Sequence, residues 1–212
     1  MIVKTQEDVI RAFDVSRETE EKLEIYVGLL IRWQKILNLI APNTIPHIWG
    51  RHIADSLQIH SLAPDIIHWV DLGSGGGFPG LVTAIRLFAK PMAHVTLIES
   101  DKRKCSFLRE VIRATGCTAE VISDRIENVL PVYKAPIEAF SARALAPLTK
   151  LLPFVDDHLG QGAKAYFLKG KDAQRELTEV VDLPRYKYKS WPSLEEGGGC
   201  ILEFQLKCLN KQ

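Results

Sequence analysis

The sequence predicts an α/β fold. It consists of a seven-stranded, mostly parallel sheet covered on both faces, with an antiparallel last strand and a helical extension in front. Three observations carry this. From His68 onward, short apolar runs alternate with segments of helical period, the rhythm of a parallel sheet clothed in helices. Between the last two apolar runs stands no helical pattern, only WPSLEEGGG, so a hairpin-like return is expected there. Before His68 the chain holds helical patterns but no glycine turn and no alternating run.

In chain order, Thr5 can cap a short helix over 5–13, with Asp8 at the capping-box distance and Val9, Ile10 and Phe13 on its apolar side. Ser16 opens a longer helix. Glu18, Glu20 and Glu21 suit its dipole, and Leu23, Tyr26, Val27, Leu30, Trp33 and Leu37 recur at helical spacing. Pro42 and Pro46 break it, and another helix runs through Ile53, Leu57 and Leu62. Residues 1–65 are thus expected as a helical extension packed on a domain of 66–212. In that domain strands are expected at 67–71, 93–98, 118–122, 137–142, 163–168, 184–190 and 199–207. Helices are expected at 79–89, 101–115, 124–130, 147–159 and near 171–180.

The totals bound the function. A chain of 212 residues with 46% hydrophobic and 25% charged residues can bury a full core. A formal charge of +1 leaves any nucleic-acid contact to local patches. Cys105, Cys117, Cys200 and Cys208 show no C-x-x-C spacing, no metal-type clustering with histidine, and read as reduced thiols. No apolar run approaches the ~18 residues of a membrane span, and the first residues lack a signal core. The expectation is a soluble, cytoplasmic protein with no metal and no membrane.

The stretch HWVDLGSGGGFPG, 68–80, is the centre of the sequence. An apolar run ends in Asp71, then Gly73, Gly75, Gly76, Gly77 and Gly80 follow, and Pro79 opens a helical pattern. A strand that stops in a glycine turn before a helix leaves backbone N–H groups facing a crevice, and glycine lets a ligand approach without meeting a Cβ. Two fingerprints overlap here. Residues 75–80 satisfy G-x-G-x-x-G, which suggests a dinucleotide. Residues 71–77 satisfy D-x-G-x-G-x-G, the pattern of S-adenosylmethionine-dependent methyltransferases. Asp71 favours the second, because a carboxylate at the strand end suits a cationic ligand and would repel a pyrophosphate. The expected antiparallel last strand also belongs to the methyltransferase version of the Rossmann-like fold. Glu99, at the end of the second strand, can accept from both ribose hydroxyls, a need both cofactors share.

Several segments resemble the bacterial 16S ribosomal RNA guanine-N7 methyltransferases of the glucose-inhibited division protein B (RsmG) family, and the match spans nearly the whole chain. WQKILNL (33–39) resembles that family's W-N-K-x-x-N-L, with Gln34 in place of Asn. RHIADSL (51–57) resembles its R-H-I-x-D-S-L, and 71–80 fits its D-x-G-S-G-x-G-x-P-G loop. LIESDKRKCSFLREV (97–111), SARA (141–144) and FLKG (167–170) are further matches. Where the family often has an arginine or histidine before the last strand, this chain has Gly197-Gly198-Gly199-Cys200, so no basic contact is expected from that loop.

The resemblance implies S-adenosylmethionine as cofactor, held by Asp71, Gly73, Gly75, Gly77, Phe78 and Glu99. Ile126 and Glu127 would lie beside the adenine, and Arg143 near the methionine portion and the target. It implies 16S ribosomal RNA, or a precursor of the small subunit, as partner. Guanine N7 carries a lone pair and no proton, so attack on the methyl needs alignment and not a general base. Arg143 and Lys169, both just past strand ends, are the candidates for reading N7 and O6, with structural salt bridges as the competing role.

Lys102, Arg103, Lys104, Arg109 and Arg113 form a basic helix surface, either a solvated face or a phosphate contact. RYKYK (185–189) reads as an edge strand in preference to a base-stacking surface. Trp33 reads as core, and His52 and Asp55 as a junction between the extension and the glycine loop. Three alternatives stand beside this reading: the same fold and cofactor with another RNA base or a small molecule, a nicotinamide-dependent oxidoreductase, and a ribosome-binding module without turnover.

Overall fold

A computed structural model describes residues 3–194 and 198–207; Gly197 and Cys208, both singled out in the sequence, lie outside them. Helix α1 (Gln6–Ala12) starts at Thr5 in a reciprocal cap: Thr5 Oγ1 accepts from Asp8 N at 3.2 Å, and Asp8 Oδ2 accepts from Thr5 N at 3.0 Å. Helix α2 (Arg17–Gln34) is capped by Ser16 and buries Leu23, Tyr26 and Leu30. The segment read as one helix after the prolines is less regular. A 3₁₀ run (Pro42–His47) leads into a π-helical turn (Ile48–Ile53), and only Ala54–Leu62 is α-helical, α3. Ala54 N–H bonds the Trp49 carbonyl, five residues back. Such wide turns have no separate sequence period and recur at functional sites. Here the turn carries Arg51 and His52 to the glycine loop.

The sheet then builds in strand–helix units. β1 (His68–Leu72) leads to α4 (Gly80–Arg86), β2 (His94–Ile98) to α5 (Lys102–Thr115), and β3 (Ala119–Ile122) to the short α6 (Ile126–Val129). β4 (Ala139–Arg143) is followed by α7 (Leu148–Gly160), β5 (Lys164–Lys169) by α8 (Ala173–Glu179), and then come β6 (Tyr186–Pro192) and β7 (Cys200–Leu206). Asp101 caps α5 through Arg103 N and Lys104 N, and Gly116 at φ 63° ends it.

The strand order is β3-β2-β1-β4-β5-β7-β6. The first five are parallel, and β7 is antiparallel to both its neighbours. The antiparallel strand is therefore inserted next to β5, and β6 takes the edge. Burial explains the swap. Ile201 to Phe204 are all buried, while Lys187 to Lys189 are exposed, and charged residues, lysine above all, suit an edge that must not pair further.

Side-chain alternation divides the core between two faces. Trp69, Tyr166 and Leu168 face the extension, α4 and α5; Val70, Ala165 and Phe167 face α7 and α8. Tyr26, Ile53 and Leu57 of the extension belong to the first of these clusters. The extension is therefore continuous with the core it covers, and α2 lies against α5 and α4. Among the described residues no helix is long and apolar enough to cross a membrane.

Candidate functional site

A cavity of about 860 Å³ opens at the carboxyl ends of β1, β2 and β4, the edge where open α/β sheets bind ligands. Gly73, Gly75, Phe78, Glu99, Ile126, Glu127 and Arg143 all line it, although they come from four strand–helix connections. Residues 38–42 of the extension form part of its wall. Gln34, the residue that departs from the family pattern, shapes that strap. Its Nε2 donates to Ile40 O at 2.9 Å, and its Oε1 accepts from Leu39 N and Ile40 N at 2.9 and 3.0 Å. The strap had no sequence signal beyond the resemblance at 33–39, because an irregular segment has no period.

The glycine loop is fixed from several sides. Gly75 has φ 53°, and a Cβ built on it would meet only Gly73 O, at 3.7 Å. Its N–H donates to Glu99 Oε2 at 2.8 Å, while Glu99 Oε1 accepts from Asp101 N at 2.8 Å. Glu99 thus ties the two strand-end loops together, and the remaining lone pairs of its carboxylate stay available at the cavity wall. At Gly76 the strap sits directly on the loop: a Cβ would lie 2.9 Å from Leu39 O. Tyr26 Oη donates to Gly76 O at 2.5 Å. Phe78 packs against both Tyr26, tilted with ring centroids 5.2 Å apart, and His52, stacked at 4.8 Å.

Asp71 and Gly77 do not line the cavity. The sequence reading put the Asp71 carboxylate against a cationic ligand; the structure buries it completely beneath the loop. Oδ1 accepts from Ser141 Oγ at 2.6 Å, and Oδ2 has no hydrogen-bond partner among the described residues. Burial pushes its pKa from the ordinary 3.8 up to about 6, against the Ser141 hydrogen bond that opposes the rise. The first turn of α4 packs on this carboxylate. A Cβ on Gly80 would lie 2.7 Å from Asp71 Oδ2, an approach only glycine permits. The strand pleat decides the matter: Asp71 points into the face that α4 covers, as Trp69 does.

His52, read from sequence as a junction, lines the cavity with a defined tautomer. Thr44 Oγ1 donates to Ala41 O at 2.7 Å, so in its 2.8 Å contact with His52 Nε2 it must accept. The Nε2 nitrogen carries the proton, and Nδ1 is a buried acceptor without a partner among the described residues. Desolvation lowers the pKa to about 3, with Arg143 and Arg51 adding to the effect, so the ring is neutral at physiological pH.

Arg143 connects this cavity to a second one. Its Nη1 donates to Arg51 O at 3.0 Å, and its Nη2 lies 3.7 Å from Asp55 Oδ2. Asp55 Oδ1 accepts from Ser193 Oγ at 2.6 Å. The segment at 51–57 therefore meets both the end of β4 and the loop after β6. The second cavity, about 550 Å³, shares Arg51, Arg143, Ala144, Leu145 and Ala146 with the first. Lys169 lines only this second cavity. Its Nζ donates to Ala146 O at 2.6 Å and to Glu176 Oε2 at 2.8 Å. No group of His, Cys, Asp and Glu among the described residues could hold a metal ion.

Comparison with known proteins follows the same lines. A family model described as rRNA small subunit methyltransferase G matches residues 19–195. A ribosomal RNA small subunit methyltransferase G from Bradyrhizobium sp. (strain BTAi1) is 48% identical over 188 residues, covering 89% of this chain and 85% of its own. Another, from Bradyrhizobium sp. (strain ORS 278), is 45% identical over 198 residues, covering 93% and 88%. Among solved structures, cofactor-bound Rv0187 from MTB superimposes with a TM-score of 0.61 at 14% identity, covering 86% of this chain and 88% of that one. The SAH-bound Podospora anserina methyltransferase PaMTH1 gives 0.59 at 13% identity, covering 91% and 97%. At such identities the two structures bear on the fold alone.

Proposed function

The chain belongs to the rRNA small subunit methyltransferase G family, and from that premise we propose that it transfers the methyl group of S-adenosylmethionine to N7 of a guanine in 16S ribosomal RNA. The observation that carries this is the first cavity, where a glycine cradle, the Glu99 carboxylate and the Ile126–Glu127 turn converge on one space. These residues fit the cofactor. The open space above Gly75 admits a ligand, Glu99 suits the ribose hydroxyls, and Ile126 offers an apolar surface to adenine. Gly73 and Phe78 complete the cradle. Asp71 and Gly77 act from behind, as supports of the loop. Bound S-adenosylmethionine supplies an electrophilic methyl on a sulfonium sulfur.

The chain's own part is alignment and water exclusion. Guanine N7 has a free lone pair, so no residue need remove a proton before attack. The strap 38–42 and the His52–Phe78–Tyr26 stack hold the loop closed, while Arg143 and Lys169 stand on the acceptor side. We read residues 1–65 as the helical extension and 66–212 as the methyltransferase domain. The exposed basic residues of α5, among them Lys102 and Arg103, extend the substrate surface toward RNA phosphates. Small-subunit RNA or its assembling particle is the partner, and the cytoplasm the compartment.

Two measurements test this. Calorimetric titration should show S-adenosylhomocysteine binding and no response to NADH; the reverse would restore the oxidoreductase. Arg143→Ala should lower the rate of transfer by roughly 100-fold, with cofactor affinity falling much less, as for an interaction made on the acceptor side. Equal loss of both would confine Arg143 to holding the cofactor or the fold.

A further inference from the structure

The second cavity has a built polar wall that the cofactor does not explain. Lys169 and Glu176 form an ion pair there with side chains only 8% and 18% exposed. As a stability device a pair so withdrawn from water is poorly rewarded, because desolvation offsets most of the attraction. Its hydrogen bonds are also incomplete. Glu176 Oε2 takes both of the carboxylate's contacts, from Leu148 N at 2.8 Å and from Lys169 Nζ at 2.8 Å. Oε1 receives no hydrogen bond from any described residue. Lys169 spends two of its three N–H donors, on Ala146 O and on Glu176. The pair thus keeps one spare donor beside one spare charged acceptor, on the wall of a cavity that adjoins the first through Arg143 and Ala144 to Ala146.

Going round the rim of guanine from N7, the groups are O6, an acceptor, then N1–H and the N2 amine, both donors. A base whose N7 faces the first cavity turns that edge along the second. We infer that the second cavity receives the acceptor guanine, with Lys169 donating to O6 and Glu176 Oε1 accepting from N1–H and N2. This rests on the proposed reaction and names the group that would select its base. Adenine, with an amine at position 6 and a bare N1, would set donor against donor and acceptor against acceptor. In the transfer, the N7 lone pair forms the new bond to carbon, the carbon–sulfur pair leaves with sulfur, and the positive charge passes to the purine. No proton moves. The charged purine has a more acidic N1–H, so its bond to the Glu176 carboxylate strengthens toward the transition state and bears on kcat more than on KM.

Glu176→Gln tests this with a defined change. Leu148 N and Lys169 both need an acceptor where Oε2 stands, so the amide oxygen takes that place and the NH2 group faces the base. Rates are compared on reconstituted small subunits carrying guanine or inosine at the methylated position, since inosine lacks only the N2 amine. The wild type should lose on the order of 10-fold with inosine. Glu176→Gln should lose on the order of 100-fold in kcat with guanine, bind S-adenosylhomocysteine as the wild type does, and no longer distinguish guanine from inosine. The same guanine-to-inosine ratio in both enzymes, or a wild type indifferent to inosine, would overturn the assignment. If the variant is too slow or misfolds, Glu176→Asp carries the same comparison, with the ratio expected to shrink. A wild type that labels no guanine in small-subunit RNA contradicts the underlying reaction; labelling with an unchanged ratio contradicts the base pocket alone.

Discussion

Gly75→Val should abolish cofactor binding, by at least about 100-fold, while leaving the fold intact. Two effects act together. The position has φ 53°, and a left-handed backbone costs a side-chain-bearing residue about 1–2 kcal/mol, with a β-branched one at the upper end. A Cβ there would meet no protein atom beyond its chain neighbours closer than 3.7 Å, so the side chain would project into the cavity that Gly75 lines. Strain relief by rotating the loop would also pull Gly75 N–H from Glu99, breaking the tie between the loops. The core lies behind Asp71 and is untouched. Titration with S-adenosylhomocysteine and a thermal melt decide it together: undiminished affinity would place the cofactor elsewhere, and a collapsed melt would make the loop part of the folding core.

Asp71 gives the second large effect, on stability and not on binding. Its folded pKa of about 6 lies above the ordinary 3.8. Between those values the native state holds a proton that the unfolded chain has released. The carboxyl's contribution is therefore fully present below about 3.8 and is lost as pH rises through about 6. Asp71→Asn removes this dependence. Its stability relative to the parent should improve by up to about 3 kcal/mol between pH 4 and 7, then level off. Denaturant unfolding at a series of pH values measures the difference directly, since other titrating groups cancel. A difference that stays flat across this window would mean that water or a proton donor reaches Oδ2.

Much of this molecule could be read from its residues. β1, β2, β3, β5 and β6 end at or near a glycine, proline or acidic boundary, since the alternation of burial and turn chemistry is local. Thr5, Ser16 and Asp101 cap helices by the same local rules. The places of Gly75 and Glu99 on the cavity wall were legible because a glycine turn and a carboxylate at successive strand ends come together at one edge of a parallel sheet. Other features depend on what lies across the fold. Asp71 looks the same in sequence whether it faces solvent or the underside of a helix; only the packing of Gly80 against it settles which. The π-helical turn that aims Arg51 and His52 leaves no separate period, and the strap at 38–42 has none at all. Nothing local announces that β7 slips between β5 and β6, or that Lys169 will meet Glu176 across a loop.

The reaction assigned to this fold is methylation of one guanine of 16S RNA at N7. Its most direct test uses the full-length enzyme, methyl-labelled S-adenosylmethionine, and small-subunit RNA from a strain lacking the gene and from its intact parent. Label should enter only the RNA of the deletion strain, at a single guanine that becomes cleavable by reduction and aniline treatment, the signature of N7 methylation. Equal labelling of both RNAs, or label at a position that resists cleavage, would contradict it.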